Sequence, residues 1–401
     1  MKPLDEFGRN YLRLALEIDK HIEGYVDAYT GPEELKSAVQ STPKKSSAAL
    51  LDDLAWLQDN LPTEPPQRHR YLTGVLRAID CTVRMLNGQE FDYYDEANRL
   101  FDIRPQLIAE EDLVAVHREL DTLLPGSGIL AERMNNRRKK FEIEIEQILP
   151  LLELARAETR SRTAALLTLP EDESVEIKLT SSQPWSAYNW YLGNGRSLIE
   201  FNTDIPSNAL ALLDTFAHEG YPGHHTEAVL KESLLYWEKG WGEFAVRLLN
   251  APEGVIAEGI ATTAAEIIFP HNSSYEWVNE VILPAAGIDP EPVEQTIRLN
   301  KSGRLLRHVM GNAAILYHTG QLNKEQTVDY FQTYGLATKE RAEKGFSFIS
   351  DPLFRAYTFT YTSGYDLIAE AAGEGKRQGD KTPIFLHLLK NGVLPSEIGA
   401  L

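Results

Sequence analysis

Hydrophobic residues recur every three or four positions along most of the chain, a pattern typical of helices that bury one face. Before residue 171 the pattern predicts helices over residues 6–27, 46–60, 66–88, 106–123 and 128–168. After residue 206 it predicts helices over residues 207–220, 226–247, 252–269, 290–320, 324–335, 338–348, 354–372 and 383–391. We therefore predict a mainly α protein with a large helical fold.

The pattern changes between residues 174 and 204. Three short segments there are rich in β-branched and aromatic residues, and Asn194-Gly195 between the last two favours a tight hairpin turn. The sequence thus predicts one small antiparallel sheet or hairpin near residues 174–204. No linker-like or repeated segment divides the chain, which favours a single domain over residues 1–401. Residues 1–170 would form its helical N-terminal part, and residues 171–401 would carry the sheet and the candidate chemistry.

Charge and composition narrow the possible partners. Lys and Arg number 40 against 59 Asp and Glu, a formal net charge of −19, which would repel a nucleic-acid backbone and suits a cation or a substrate with a free amine. Cys81 is the only cysteine, so a metal would have to be held by histidines and carboxylates. No apolar run approaches the roughly 18 residues of a membrane span, and the first twenty residues lack a signal-type apolar core. These features predict a cytoplasmic protein with neither a membrane nor a nucleic-acid partner.

The strongest chemical signal is the segment 218–225, which reads HEGYPGHH and holds three of the ten histidines. Many zinc hydrolases begin their metal site with His-Glu at the end of an apolar helix, place a second His four residues on, and use the Glu as general base. Here that fourth position is Pro222, which lacks the N–H of a helical hydrogen bond. We therefore expect the helix to bulge or kink there, and the segment is either a metal site with an insertion or a chance likeness.

The spacing of the histidines distinguishes two candidates for the second metal ligand, His224 and His225. In an unbroken helix His224 would lie about 120° around the axis from His218, and His225 on nearly the same face but about 10 Å farther along. If Pro222 and Gly223 loop out, His224 takes the place of a residue four positions on. We therefore predict His224 as the second ligand, with His225 as the alternative.

A third ligand is expected from another helix. Glu258 is flanked by small and apolar residues, which permit a close helix approach. It is either a metal ligand or an ordinary exposed acid at the start of a helix, where the macrodipole favours negative charge.

Three motifs resemble those of the bacterial "domain of unknown function 885" family. HEGYPGHH resembles its HExxPGHH motif, the EGIA segment at 258–261 resembles EGWA, and the YTSG segment at 361–364 resembles a late Tyr-x-x-Gly motif. That family is placed with gluzincin-type zinc peptidases. The first motif is also similar to the HExGH of thimet-type oligopeptidases and Taq-type carboxypeptidases with two residues inserted.

The resemblance implies a zinc-dependent peptidase that acts on small peptides. It implies His218, His224 and Glu258 as Zn²⁺ ligands and Glu219 as general base. The chain departs from the family in length and at three places: Ile260 replaces the Trp of EGWA, Glu266 lies one residue late, and Ala314 stands where an Asp is usual.

A hydrolase of this kind needs a donor for the oxyanion. Tyr361 is the first candidate, and Tyr365 and His318 follow; Tyr361 and His318 could instead be structural. We also predict that the strand at 196–204 is an edge strand that pairs with the substrate backbone. Arg355 is a candidate for a substrate carboxylate, with a surface salt bridge as the alternative.

Other classes of function remain open. The chain contains neither a G-x-S-x-G elbow nor a Walker-type loop, which disfavours a hydrolase without a metal. A non-catalytic metal- or peptide-binding relative is a second alternative, although a purely structural zinc has no use for a base at Glu219. A metal-dependent amidase with a non-peptide substrate is a third. The sequence does not distinguish aminopeptidase, carboxypeptidase and oligopeptidase action.

Overall fold

A computed structural model describes residues 2–183, 185–373 and 380–401. The prediction of a mainly α fold is confirmed. The helices of the N-terminal part are α1 Glu6–Asp19, α2 Glu33–Gln40, α3 Ser47–Asp59, α4 Pro66–Leu86, α5 Tyr93–Phe101, α6 Glu110–Leu123, α7 Leu130–Lys139 and α8 Ile145–Leu166. Those that follow are α9 Leu212–Glu219, α10 His224–Lys231, α11 Pro252–Ile268, α12 Ser273–Trp277, α13 Leu283–Ala285, α14 Val293–Gly303, α15 Val309–His318, α16 Lys324–Gly335, α17 Lys339–Ser350, α18 Thr360–Ala371 and α19 Thr382–Lys390.

Several helix boundaries differ from the prediction. The run at 6–27 ends at Asp19, and its last residues enter a strand instead. The long run at 128–168 divides into α7 and α8, because residues 141–143 leave the helix and Phe141 and Ile143 enter the core. The expected continuous helix at 290–320 contains a 3₁₀ segment, Arg304–His308. Apolar spacing continues across each of these breaks, so the period alone did not reveal them.

The predicted hairpin is present within a three-stranded sheet. Strands β2 Ser174–Thr180, β3 Ala187–Gly193 and β4 Arg196–Asn202 lie in the order β2-β4-β3. The β3–β4 pair is antiparallel, and both residues of its Asn194-Gly195 turn have positive φ. The β2–β4 pair is parallel, which the expectation of a wholly antiparallel sheet did not include. Strand β4 is therefore central, so the prediction that residues 196–204 form an edge strand is wrong.

A second, two-stranded sheet pairs β1 Val26–Tyr29 with β5 Val246–Leu248 in antiparallel fashion. Its strands are too short to give a clear period of two, and they lie more than 200 residues apart in sequence. This sheet ties the N-terminal part to the region of the histidine motif. One apolar core cluster likewise combines residues of α1, α3 and α4 with residues 236–251.

Two packing contacts position the candidate site. Helix α9 packs its apolar side, including Leu213 and Phe216, in one core cluster with Ile199 and Phe201 of β4. Helices α11 and α18 approach backbone to backbone where Gly259 faces Gly364. In the part of the chain that the structure describes, no helix is long and apolar enough to cross a membrane.

Candidate metal centre

The helix that carries His218 stops rather than bulges at the Pro-Gly insertion. Helix α9 ends at Glu219 and α10 begins at His224, and the turn between them contains a cis peptide bond before Pro222. The Gly223 amide donates to the carbonyl of Ala217 at 3.0 Å. A Cβ at Gly223 would overlap the carbonyl oxygen of His218, so only glycine fits this close approach.

This turn brings together three of the predicted site residues, His218, Glu219 and His224. The rings of His218 and His224 have centroids 4.7 Å apart and are nearly perpendicular, at 88°. One ligand atom from each of His218, Glu219 and His224 lies within 4.8 Å of the others. The Pro-Gly insertion thus brings His224 close to His218, as its length predicts.

Glu258 reaches the same point from α11. Its Oε2 lies 3.5 Å from His218 Nε2, and its Oε1 lies 3.8 Å from His224 Nε2. Glu258 is in the middle of a helix and only 5% exposed, so the alternative of an exposed acid at a helix start does not describe it. The three residues predicted as ligands and the predicted base form one cluster, which we call the His-Glu cluster: His218, Glu219, His224 and Glu258.

His225 does not join the cluster. It is completely buried, with Nδ1 2.8 Å from Ser197 Oγ and Nε2 3.0 Å from Glu173 Oε2. Both ring nitrogens are thus already hydrogen-bonded. The geometry therefore favours His224 over His225 as the candidate ligand.

Burial makes the electrostatics of the His-Glu cluster unusual. It lowers the pKa of His218 to about 4 and that of His224 well below its ordinary value, so both rings are neutral at pH 7. Burial and the nearby charge of Glu258 raise the pKa of Glu219 to about 8, and burial raises that of Glu258 to about 7. Two neutral imidazoles beside two carboxyl groups are suitable ligands for a divalent cation.

Two buried polar atoms of the cluster support the same interpretation. Glu258 Oε2 and His224 Nδ1 have no hydrogen-bond partner among the described residues. Most buried polar groups are hydrogen-bonded, so an unpartnered carboxylate oxygen 3.5 Å from His218 Nε2 requires an explanation. A cation held at this point would provide one for Glu258.

Two tyrosines, Tyr357 and Tyr361, lie near the carboxylates of the His-Glu cluster. The Tyr357 hydroxyl donates to Glu258 Oε1 at 3.0 Å. Tyr361 is 41% exposed, yet desolvation and the charges of Glu258 and Glu219 raise its pKa well above its ordinary value. Tyr361 is therefore close enough to both carboxylates to sense their charge and still reaches solvent. The Tyr361 hydroxyl makes no hydrogen bond within the described part of the chain, and so it is available to a ligand.

The other predicted residues are placed elsewhere. His318 Nε2 lies 2.7 Å from the carbonyl oxygen of Ile349, and among the described residues its contacts include none of the His-Glu cluster. Tyr365 bonds with Glu266 and with Lys381. These contacts give no support to either side chain as an oxyanion donor.

Arg355 also has a partner, because its guanidinium forms an ion pair with the buried carboxylate of Glu96. The salt-bridge alternative therefore describes Arg355.

Sequence reasoning missed several neighbours of the cluster. The Asn189 side chain on β3 donates to the backbone carbonyl of Glu219 at 2.6 Å, which fixes the end of α9. The charges of Asp27 and Arg247, on β1 and β5, influence the pKa of Glu219. Tyr357 was part of an aromatic-rich run that carried no motif of its own. Only the unpredicted β1–β5 sheet brings Asp27 and Arg247 to the site, so no local signal identified them.

Comparisons with known proteins address the fold. No protein-family model matches the chain, and no curated protein matches it. A solved structure from Colwellia psychrerythraea, described as a "putative lipoprotein", has a TM-score of 0.54 and 14% identity, and the alignment covers 97% of this chain and 69% of that one. A "putative lipoprotein of unknown function" from Shewanella oneidensis has a TM-score of 0.51 and 14% identity, with 98% and 72% covered. At this identity the likeness establishes that the chain shares its helical fold with both.

Proposed function

We propose that the chain is a zinc-dependent peptidase that hydrolyses peptide bonds of small peptides. The observation that carries the proposal is the convergence of His218, His224 and Glu258 on one buried point, with Glu219 beside them. Three side-chain ligands of this kind leave a position open on zinc, which is the arrangement of catalytic rather than structural sites.

The donor set fits zinc. Two imidazoles and one carboxylate are ligands that Zn²⁺ takes in hydrolases, and no thiolate is available because Cys81 lies buried in α4. The unpartnered Glu258 Oε2 lies 3.5 Å from His218 Nε2, which places a carboxylate ligand atom beside that ring. When bound, zinc supplies Lewis acidity that lowers the pKa of water and polarises a carbonyl group.

The roles of the side chains follow from their positions. Glu219 accepts the proton of the attacking water and transfers it to the leaving amine. A cation in the cluster favours the charged form of Glu219, which burial alone disfavours. Tyr361, near both carboxylates, donates its hydroxyl proton in a hydrogen bond to the developing oxyanion. Tyr357 holds Glu258 in place through its hydrogen bond.

The edge of the sheet offers a place for a peptide backbone. Strand β3 is at the edge of its sheet, and its Asn189 binds the backbone of Glu219 directly. An extended peptide that paired with β3 would therefore run close to the proposed base. Such pairing would favour a peptide substrate over a compact non-peptide amide.

The variant Glu219→Gln tests the proposal. Glutamine preserves size and hydrogen bonding but cannot accept the proton, so we expect unchanged zinc content and a loss of at least about 100-fold in peptide hydrolysis. Zinc is measured by elemental analysis, and hydrolysis by mass spectrometry of a defined mixture of short peptides. The same spectra show whether N-terminal, C-terminal or internal bonds are cut.

Two outcomes would decide against the proposal. A wild-type protein that holds no zinc and cleaves no peptide would remove it altogether. Zinc binding without hydrolysis of any peptide or simple amide would favour the non-catalytic relative.

The cytoplasmic location of the protein stays a prediction, which cell fractionation checks. The description of the two structural neighbours as lipoproteins applies to those proteins alone.

A further inference from the structure

A second set of buried polar side chains contacts the turn between α9 and α10. At its middle is Glu173, whose side chain is fully buried. Its Oε2 accepts hydrogen bonds from the Tyr221 hydroxyl and from His225 Nε2, the latter at 3.0 Å. Its Oε1 accepts from Arg160 Nε at 2.7 Å. The carboxylate is therefore saturated by three partners, which hold the pKa of Glu173 below its ordinary value despite burial.

The hydrogen bonds of His225 fix the orientation of its ring. A carboxylate only accepts hydrogen bonds, so His225 Nε2 must carry the proton that it donates to Glu173. Its other ring nitrogen, Nδ1, lies 2.8 Å from the Ser197 hydroxyl oxygen and accepts the hydroxyl proton in the Nε2–H tautomer. One tautomer in one orientation satisfies both nitrogens. The ring of Tyr221 packs against it edge-on, with centroids 4.9 Å apart.

These contacts tie both sides of the Pro222-Gly223 turn to one oxygen atom. Tyr221 precedes the turn, His225 follows it, and both bind Glu173 Oε2. His224, the neighbour of His225, faces the opposite side, toward Glu258. The separation of His218 and His224 depends on the path of this turn, and Glu173 is the side chain that restrains the path from both ends.

We propose that Glu173 is a positioning residue of the metal centre: by binding Tyr221 and His225 at once, it sets His224 beside His218. The inference rests on the proposed function, because it assumes that these histidines bind zinc. None of the hydrogen bonds of Glu173 involves a residue of the His-Glu cluster. Its loss should therefore weaken zinc binding and change the coordination geometry while every ligand is still present.

The variant Glu173→Gln, with Glu243→Gln as the matched control, tests this inference. Glu243 is equally buried and accepts a hydrogen bond from Arg68 at 2.6 Å, but this pair joins α4 to residues 242–245 and includes no residue of the His-Glu cluster. Both variants remove a buried charge that is paired with an arginine, so both should lower the temperature of thermal unfolding. Only a positioning role predicts an additional effect on the metal.

Two readouts report on the metal without an activity assay. Zinc affinity is measured by competition with a chromogenic chelator, and coordination geometry by the visible absorption spectrum of the protein loaded with Co²⁺. We expect Glu173→Gln to bind zinc about 10-fold or more weakly, the range seen when groups that orient metal ligands are lost. We also expect an altered cobalt spectrum, and wild-type values of both for Glu243→Gln.

The opposite results would overturn the inference. Wild-type zinc affinity and an unchanged cobalt spectrum in Glu173→Gln would show that the turn keeps its path without this carboxylate. If Glu173→Gln does not fold, Tyr221→Phe, which removes a single hydrogen bond to Glu173, is measured in the same way and with the same criterion. A wild-type protein that binds neither Zn²⁺ nor Co²⁺ would instead overturn the proposed function.

Discussion

Glu219 and Glu258 occupy one buried cluster, although burial disfavours the charge of each. In most folds such carboxyl groups are paired with a cationic side chain, as Glu96 is with Arg355. Here the neighbours of Glu258 are the Tyr357 hydroxyl and two histidines that burial keeps neutral. Residues that violate local rules of stability in this way are concentrated at functional sites, where a ligand supplies the missing interaction.

A pair of tyrosine variants separates two roles at the residue scale. For Tyr361→Phe we expect kcat for peptide hydrolysis to fall by about 10²–10³ with unchanged zinc affinity, because one oxyanion donor is lost. For Tyr357→Phe we expect zinc affinity to fall by about 10-fold, because Glu258 loses its hydrogen bond. Steady-state kinetics and chelator competition on both variants check this. Equal effects of the two variants on both quantities would contradict the assignment.

Secondary-structure elements place these residues through two close approaches of the backbone. One is the turn between α9 and α10, where Gly223 lies against the end of α9. The other is the crossing of α11 and α18, where Gly259 and Gly364 meet without intervening side chains. Because Glu258 is on α11 and Tyr361 is on α18, this crossing sets the distance between the proposed ligand and the proposed donor.

The variant Gly364→Ala tests the crossing. A Cβ there would overlap the carbonyl oxygen of Val255 and lie 2.6 Å from the amide nitrogen of Gly259, so the helices must separate. We expect the free energy of unfolding to fall by about 1–3 kcal/mol, the usual cost of overpacking, and peptidase activity to fall as well. Denaturant unfolding and the peptide assay measure the two effects.

Gly303→Ala is the matched control for that experiment. Gly303 ends α14, and a Cβ there would meet nothing within 4 Å. Alanine should leave activity unchanged and keep or raise stability by up to about 1 kcal/mol, because it restricts the unfolded chain. A Gly364→Ala protein as stable and as active as Gly303→Ala would show that the crossing tolerates a methyl group.

At the scale of the whole molecule, the site joins parts of the chain that lie far apart in sequence. The candidate ligands come from α9, α10 and α11, Asn189 on β3 holds Glu219, and Asp27 approaches on the β1–β5 sheet. A bound cation would therefore join α9, α10 and α11 at one point, in addition to the apolar contacts that α11 already makes with the other two helices. Binding only to the folded state raises stability in proportion to the logarithm of ligand concentration.

Thermal unfolding with and without zinc measures this linkage. We expect zinc to raise Tm, with stabilisation of about 2.7 kcal/mol at a free concentration 100 times Kd, and a chelator to reverse the change. His224→Ala is the control, since the chain carries a net charge of −19 and its surface acids could bind zinc unspecifically. The same rise in Tm for His224→Ala would assign the effect to the surface.

The sequence by itself determined what short-range interactions encode. Apolar spacing identified most helices, because one-sided burial repeats every 3.6 residues, and Asn194-Gly195 identified the hairpin, because its turn needs two residues with positive φ. His218, Glu219 and His224 were also recognisable, since one turn brings them together. The choice of His224 over His225 as the predicted second ligand rested only on the length of the Pro-Gly insertion.

Tertiary structure alone decided the rest. It placed Glu258 beside the histidines, used β4 as a central strand with one parallel neighbour, and built the β1–β5 sheet across more than 200 residues. Tertiary packing also places His318 beside the carbonyl of Ile349. It brings Tyr357 to Glu258 and Glu173 to His225, although no sequence motif marked Tyr357 or Glu173. The physical reason is that such contacts depend on how apolar faces pack in three dimensions, and the local period of a sequence does not specify which faces meet.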